Sequence, residues 1–298
     1  MKIINFGSLN IDKVYAVDHI AAPGETVSAT DLTLNAGGKG LNQSIAAARA
    51  GAQVLHAGAI GPDGAFLEQL LKDNGVDTSP LLHVEGESGH AVIQVDAAGQ
   101  NSIVVFGGAN HALTEDYVRQ VLDKAESGDM VLLQNEINAD VVEPVLRTAL
   151  LKGLTVCFNP SPIPTEPLPY NLVDIFLVNE TEAAALADLP ADSDPETVLD
   201  NLGWAYPRST IVLTLGEKGV LCRANGGNNV QKAFPVSAVD TTAAGDTFTG
   251  YFLAGLCQGK DLGMCLKEAA AASALAVSRP GAAPSIPTRE EVEEFLKK

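Results

Sequence analysis

The sequence predicts an α/β fold: a mostly parallel sheet sandwiched by helices, with a small β-sheet added to it. Three observations predict it. From about residue 113, short apolar runs alternate with helical stretches. The last third is dense in Ala and Leu. A hairpin pattern lies ahead of both. Strands that alternate with helices form right-handed βαβ units around a parallel sheet.

Residues 2–9 read as a first strand that runs into polar residues. Residues 26–36 and 90–106 read as further short strands. Gly86-Glu87-Ser88-Gly89 and Ala97-Ala98-Gly99-Gln100-Asn101 are turn signals, and they make 90–95 and 102–106 the arms of a hairpin. The apolar runs at 130–134, 154–158, 175–178 and 211–215 have the character of strands buried on both faces. Helices are expected over 244–258 and 261–277. A terminal helix over 288–296 opens with a capping box, Thr288-Arg289-Glu290-Glu291. The Pro-rich stretch at 159–169 either lines a site or is a stiff connection.

The chain has 298 residues, of which 46% are apolar, enough for a packed core rather than disorder. Its 19 Lys+Arg against 37 Asp+Glu give a net charge of −18, which argues against a nucleic-acid partner. A small anion held by local backbone N–H groups stays open. Cys157, Cys222, Cys257 and Cys265 show no C-x-x-C spacing, so no zinc knuckle or dithiol motif is indicated. The polar start of the chain does not read as a signal peptide, and no apolar run spans a bilayer. A cytoplasmic protein without a membrane partner is expected.

In a parallel α/β sheet, ligands lie beyond the carboxyl ends of the strands. Asn10 and Asp12 are expected there after the first strand, Asn135 and Glu136 after 130–134, and Asn159 after 154–158. Asn179 and Glu182 follow 175–178, and Thr214 and Gly216 fall at the end of 211–215. Each alone can be a turn former or helix cap. Their repetition at strand ends points to a site.

Two stretches carry more chemistry. Ala36-Gly37-Gly38-Lys39-Gly40-Leu41-Asn42-Gln43 opens a helix with glycines that let backbone approach a ligand. It is not a Walker A loop, because Gly40 follows Lys39 where Ser or Thr is needed. Val239-Asp240-Thr241-Thr242-Ala243-Ala244-Gly245-Asp246 leads straight into an apolar helix. Free N–H groups at such a start favour negative charge. Asp246, in the first turn, is either a dipole partner or a base beside an anion hole.

On these two stretches the chain resembles the ribokinase-like carbohydrate kinases (the PfkB family), and within them the ribokinase branch. Gly7-Ser8-Leu9-Asn10-Ile11-Asp12, Pro23-Gly24-Glu25-Thr26, Asn179-Glu180-Thr181-Glu182, Thr214-Leu215-Gly216 and Gly281-Ala282-Ala283-Pro284-Ser285 extend the resemblance along the whole chain. It implies a single ribokinase-like domain over 1–298, with segments near 10–35 and 88–106 forming a discontinuous β lid. It implies transfer of the γ-phosphate of ATP to a primary hydroxyl, of D-ribose above other substrates. The alternatives are another sugar, a sugar acid or a nucleoside. A non-catalytic sugar-binding module would have lost the base or the anion hole, and both are present.

By the same resemblance, Asn10, Asp12, Gly38, Lys39, Asn42 and Glu136 contact the sugar. Asp246 is the base, with Ala243, Ala244 and Gly245 as the anion hole. Asn179 and Glu182 position Mg²⁺ through waters, and Thr214, Gly216 and Gly245 lie along the nucleotide. Asp240, Thr242, Ala276, Arg279, Gly281 and Ser285 fall at a monovalent-cation loop, so K⁺ is an expected activator. A homodimer through the β lid is expected. Two departures stand out. Leu41 and Ser44 replace residues that are often Ala, and Pro280 in the cation loop has no N–H to give.

Overall fold

The computed structural model describes residues 1–164 and 167–297. Residues 165 and 166, inside the anticipated Pro-rich loop, lie outside the described residues, as does 298. In chain order the strands are β1 (Ile3–Phe6), β2 (Asn10–Ala16), β3 (Asp31–Gly37), β4 (Val54–Ala57), β5 (Ala59–Ile60), β6 (Leu82–His83), β7 (Gly89–Val95), β8 (Asn101–Phe106), β9 (Met130–Gln134), β10 (Thr155–Asn159), β11 (Ile175–Asn179), β12 (Thr210–Thr214), β13 (Val220–Ala224) and β14 (Gly227–Gln231). The helices are α1 (Lys39–Arg49), α2 (Ala65–Asp73), α3 (Glu115–Leu122), α4 (Ala139–Lys152), α5 (Glu180–Leu186), α6 (Pro195–Ala205), α7 (Ala244–Cys257), α8 (Leu262–Val277) and α9 (Arg289–Phe295).

Eight strands form the main sheet in the order β14-β13-β12-β11-β10-β9-β1-β4. The six from β4 to β12 run parallel, while β13 and β14 extend the sheet antiparallel. The apolar runs become central strands because each face of the sheet has its own core. Ile3, Leu132, Cys157, Leu177 and Val212 pack on one side with residues of α1, α7 and α8. Their neighbours Ile4, Val131, Phe158, Phe176 and Leu213 pack on the other with α3, α4 and α6. Fully burying such a side chain is worth about 1.5–3 kcal/mol, more than intrinsic strand preference supplies. The terminal helix α9 has its expected capping box between Thr288 and Glu291.

A separate four-stranded sheet has the order β3-β2-β7-β8. The expected hairpin is β7–β8, paired Val92↔Val104 and Ile93↔Ile103. Two expectations are corrected. The strand anticipated over 26–36 begins only at Asp31. Asn10 and Asp12 do not follow the first strand as loop residues. They lie in β2, whose pairing with β3 and β7 carries them into the small sheet.

Candidate active site

Because β9 to β12 are parallel, their carboxyl ends share one edge of the sheet. Glu136 follows β9, Asn159 ends β10, Asn179 ends β11 and Thr214 ends β12. The N-termini of α1 and α7 converge on the same edge, and the small sheet brings Asp12 there.

The Gly-rich stretch is held by Glu136. Its Oε2 accepts from the Lys39 backbone N–H (3.0 Å) and from Ser8 Oγ (2.6 Å), and Ser8 Oγ in turn accepts from the Gly40 N–H (3.2 Å). Lys39 Nζ lies 4.0 Å from Glu136 Oε1. Burial works against the Lys39 ammonium, but the carboxylates of Asp246, Glu136 and Glu182 outweigh it and hold its pKa above the ordinary lysine value. Asp12 packs on Gly37, where a Cβ would come within 2.2 Å of the carboxylate. Burial, then the Glu136 charge, raises the Asp12 pKa to about 6. Asn10 Oδ1 is fixed by the Asn110 amide at 2.7 Å.

At α7 the chain enters through Ala243, a non-glycine residue in the left-handed region (φ 59), with no side-chain cap. This start leaves first-turn N–H groups without intrahelical partners; that of Ala244 donates to the Thr241 carbonyl at 3.3 Å, and Ala243, Ala244 and Gly245 line the same cavity as Asp246. Asp246 is buried. Its Oδ2 accepts from Asn42 Nδ2 (3.0 Å) and its Oδ1 from Gln43 Nε2 (2.9 Å). Burial raises its pKa; Lys39, Gln43 and Asn42 oppose that rise, and Glu136 adds to it. The Asp246 side chain is therefore not the helix cap. It is a carboxylate presented to a cavity.

That cavity, of about 240 Å³, is lined by Lys39, Asn179, Glu182, Ala243, Ala244, Gly245 and Asp246, among others. It adjoins a larger cleft of about 820 Å³ that includes Gly216, Phe234, Ala238 and Ala274. Thr214, Thr241, Ala244, Gly245 and Phe248 line both. The pair has the form of a small, polar chamber opening into a larger, mostly apolar cleft. Asn179 and Glu182 form a capping box on α5, with Glu182 Oε2 accepting from the Asn179 N–H at 3.0 Å. Hard carboxylate and amide oxygens at the chamber wall suit Mg²⁺. Among the described residues, no group of three or more His, Cys, Asp or Glu forms a metal cage.

The proposed cation loop is tied shut by Asp240. Its Oδ1 accepts from the Thr242 N–H (2.9 Å) and Oγ1 (2.6 Å), and its Oδ2 from the Gly281 N–H (2.9 Å). The Arg279 guanidinium pairs with Glu291, and Ser285 Oγ donates to Ala282 O. The side chains of Asp240, Arg279 and Ser285 thus brace the loop, so that any cation ligands it offers are backbone carbonyls, of which that of Ala276 already accepts from the Arg279 N–H at 3.0 Å.

The model of the pfkB family carbohydrate kinases matches residues 1–289. The chain belongs to this family. It is 38% identical over 298 residues to the ribokinase of Haemophilus influenzae, covering 98% of this chain and 97% of that one. It is 31% identical over 309 residues to the deoxyribokinase of Salmonella typhimurium, covering 99% of each. The structure of Arabidopsis thaliana ribokinase complexed with ribose and ATP matches with a TM-score of 0.90 at 32% identity, covering 100% of this chain and 99% of that one. As a pfkB carbohydrate kinase, the chain is a phosphotransferase that acts on an alcohol group, on the ribokinase fold. Among the described residues, no helix is long and apolar enough to cross a membrane.

The converging residues include several that sequence reasoning did not single out. Ser8 and Asn110 orient Glu136 and Asn10. Gln43 and Gln134 form a buried amide row behind Asp246. Gln43 was visible inside the Gly-rich motif. Gln134 and Asn110 carried no signal, because they are single polar residues in otherwise ordinary surroundings.

Proposed function

We propose that this kinase phosphorylates the primary hydroxyl of D-ribose with ATP, giving ribose 5-phosphate and ADP. The observation that carries the reading is Asp246. It is a buried carboxylate at the open start of α7, between the Gly-rich stretch and the two joined cavities. Asp12 and Glu136 accept from the sugar hydroxyls, Lys39 and Asn42 donate, and Asn10 and the Gly38 backbone complete the set. Asn42 Oδ1 is buried without a hydrogen-bond partner, and a donor hydroxyl there satisfies it. Asp246 removes the proton from the attacking hydroxyl as its oxygen bonds to the γ-phosphorus. The N–H groups of Ala243, Ala244 and Gly245 hold the charge on the transferring group. Thr214 and Gly216 run beside the nucleotide. Asn179 and Glu182 would hold Mg²⁺ through waters, and the ion supplies charge neutralisation on the phosphates.

A coupled ADP-release screen over pentoses, hexoses, sugar acids and nucleosides tests this. Ribose is expected to give the highest kcat/KM. Preference for 2-deoxyribose would move the substrate assignment to the deoxy sugar.

Sugar affinity is expected to depend on pH through Asp12. A sugar hydroxyl donates to the ionised carboxylate, and the empty site has its pKa near 6. Binding is therefore full well above that value and is lost as pH falls through it. Asp12→Asn is expected to raise the sugar KM roughly 10–100-fold, the worth of hydrogen bonds to a charged group, and to flatten the pH dependence of KM. A KM that rises below pH 6 in the variant as it does in the wild type would assign that titration to another group.

Potassium activation follows from the braced loop. Carbonyl oxygens of Ala276, Arg279 and Gly281 beside the Asp240–Thr242 turn suit a large monovalent cation and stiffen the neighbouring anion hole. Turnover is expected to be higher in K⁺ than in tetramethylammonium buffer with Na⁺ excluded. Equal rates would reject the site.

We read the small sheet as a lid that pairs two copies of the chain. Strand alternation puts Asp12 on one face of it. The other face carries Leu32, Leu34, Val104 and Phe106, which are 49–66% exposed. A second copy covers that face. Light scattering is expected to give a dimer for the wild type and a monomer for Leu34→Asp with Val104→Asp. A wild-type monomer at micromolar concentration would remove the pairing.

A further inference from the structure

We infer that Gln43 is a positioning residue for Asp246, and that Gln134 fixes Gln43 in turn through a buried row of side-chain amides. The inference rests on the kinase reading above and concerns how its base is aimed.

The row starts at the carboxylate. An ionised carboxylate only accepts, so Gln43 must present its NH₂ group to Asp246. It does so at 2.9 Å, and its second N–H goes to Asn159 Oδ1 at 3.0 Å. Asn159 is itself set by its own Nδ2, which donates to the carbonyl of Leu177 at 2.8 Å. With its nitrogen committed, Gln43 turns Oε1 the other way, where Gln134 Nε2 donates to it at 2.7 Å. The second N–H of Gln134 goes to Asn5 Oδ1 at 2.9 Å. Asn5 Nδ2 then donates to Gly40 O (2.9 Å) and Ser44 Oγ (2.8 Å), back on α1. Reversing any one amide would set donor against donor or acceptor against acceptor. The carboxylate fixes Gln43 from one side, and the backbone carbonyls of Leu177 and Gly40 fix Asn159 and Asn5, so that every member has one orientation.

Core amides also pair simply to satisfy one another. One observation argues for more than that. Gln134 Oε1 is buried with no hydrogen-bond partner, although Gln134 Nε2 makes two bonds. A row arranged only for its own satisfaction has no reason to strand an acceptor. Gln134 lies between two acceptors: Gln43 Oε1, turned toward it because the Gln43 nitrogen serves the carboxylate, and Asn5 Oδ1, turned toward it because Asn5 Nδ2 serves the Gly40 carbonyl; its own oxygen is what is left over. The result is a carboxylate gripped at both oxygens, by Gln43 on Oδ1 and Asn42 on Oδ2, so that it cannot swing about its terminal torsion. The charged groups that act on it are Lys39 of α1 and Glu136 after β9.

Gln43→Met and Gln43→Glu test the role. Met removes the donor at similar volume. Glu keeps the shape and the oxygen that accepts from Gln134, but replaces the donor with an acid. Both are expected to lower kcat roughly 10–100-fold, the usual consequence of a misaimed group, with the sugar KM within about threefold of wild type. Both are also expected to move the acid limb of the kcat–pH profile to higher pH. The Met variant loses a bond that holds Asp246 ionised, and the Glu variant sets a second acid beside it, so its shift is the larger. Thermal melts and circular dichroism check the fold. A folded variant with wild-type kcat and acid limb overturns the inference. So does a fall in kcat with an unmoved limb, or failure of both variants to fold, since either makes Gln43 a packing residue. A wild-type protein that turns over no sugar overturns the kinase reading, and the row's role with it.

Discussion

Asp246→Asn is expected to lower kcat by roughly 10²–10⁴ while the fold survives, the usual worth of one general base. Nucleotide affinity is expected to change little, because the base does not bind ATP. The structure says why the fold survives. The α7 cap is backbone at Ala243, so no cap is lost. The new amide offers one oxygen and one NH₂ group where the carboxylate offered two oxygens. Its oxygen can still accept from Gln43. Its NH₂ then faces Asn42, whose Oδ1 lacks a partner and can turn to accept it. Burial raises the Asp246 pKa above its unfolded value, so the native state holds the proton more tightly and stability falls as pH rises through that interval. The Asn variant lacks this dependence and is expected to melt no lower than the wild type at pH 8. Stopped-flow or coupled ADP-release rates and thermal melts read both parts. A variant that turns over at near the wild-type rate would place the base elsewhere, with Asp240 or Asp12 next to test. One that unfolds would make Asp246 a structural carboxylate.

What the sequence made legible follows from how each part earns its place. The runs that became β9 to β12 are apolar on both faces through their centres because two cores flank the sheet, and the lack of alternation there reports that. The antiparallel pair β13–β14 went unanticipated. Its second strand, Gly227-Asn228-Asn229-Val230-Gln231, is mostly polar and exposed at the sheet edge, although Asn225-Gly226 between the two strands is a hairpin signal. At the site, the glycines and Asp246 announce themselves through local spacing. The partners that orient them do not. Gln43 and Gln134 lie 91 residues apart, and Asn110 and Asn10 lie 100 apart. Each reads as a lone polar residue until the fold brings its partner to it. Asn10 and Asp12 were expected at a strand end and proved to lie within a strand, because β2 begins only four residues after β1 ends.

Gly250→Ala is expected to lower both the melting temperature and kcat. Gly250 lies on the face of α7 that meets α1. A Cβ there would come within 2.4 Å of Ala46 Cβ and 2.5 Å of the Ala47 backbone nitrogen. Two effects oppose each other. Alanine is the better residue in a helix interior by about 1 kcal/mol. Overpacking a tight contact costs typically about 1–3 kcal/mol. The obstacle here is partly main chain, which cannot rotate aside as a side chain can, so the upper part of that range applies and the clash wins. The net loss of about 1–2 kcal/mol corresponds to a melting temperature lower by several degrees in a chain of this size. The catalytic effect comes from where the clash falls. On α7, Gly250 is one turn beyond Asp246. On α1, Ala46 and Ala47 are one turn beyond Asn42 and Gln43. Prising the helices apart at this contact stretches the 2.9 Å and 3.0 Å bonds that hold the base. A loss of roughly tenfold or more in kcat is expected from that displacement. Adding Ala46→Gly removes one of the three obstructing atoms and leaves the Ala47 nitrogen and the main-chain carbonyl carbon of residue 46, so the double variant is expected to recover part of kcat but not all of it. Wild-type melting and turnover in Gly250→Ala would mean that the two helices have slack at this crossing, and that glycine is not required there to seat the base.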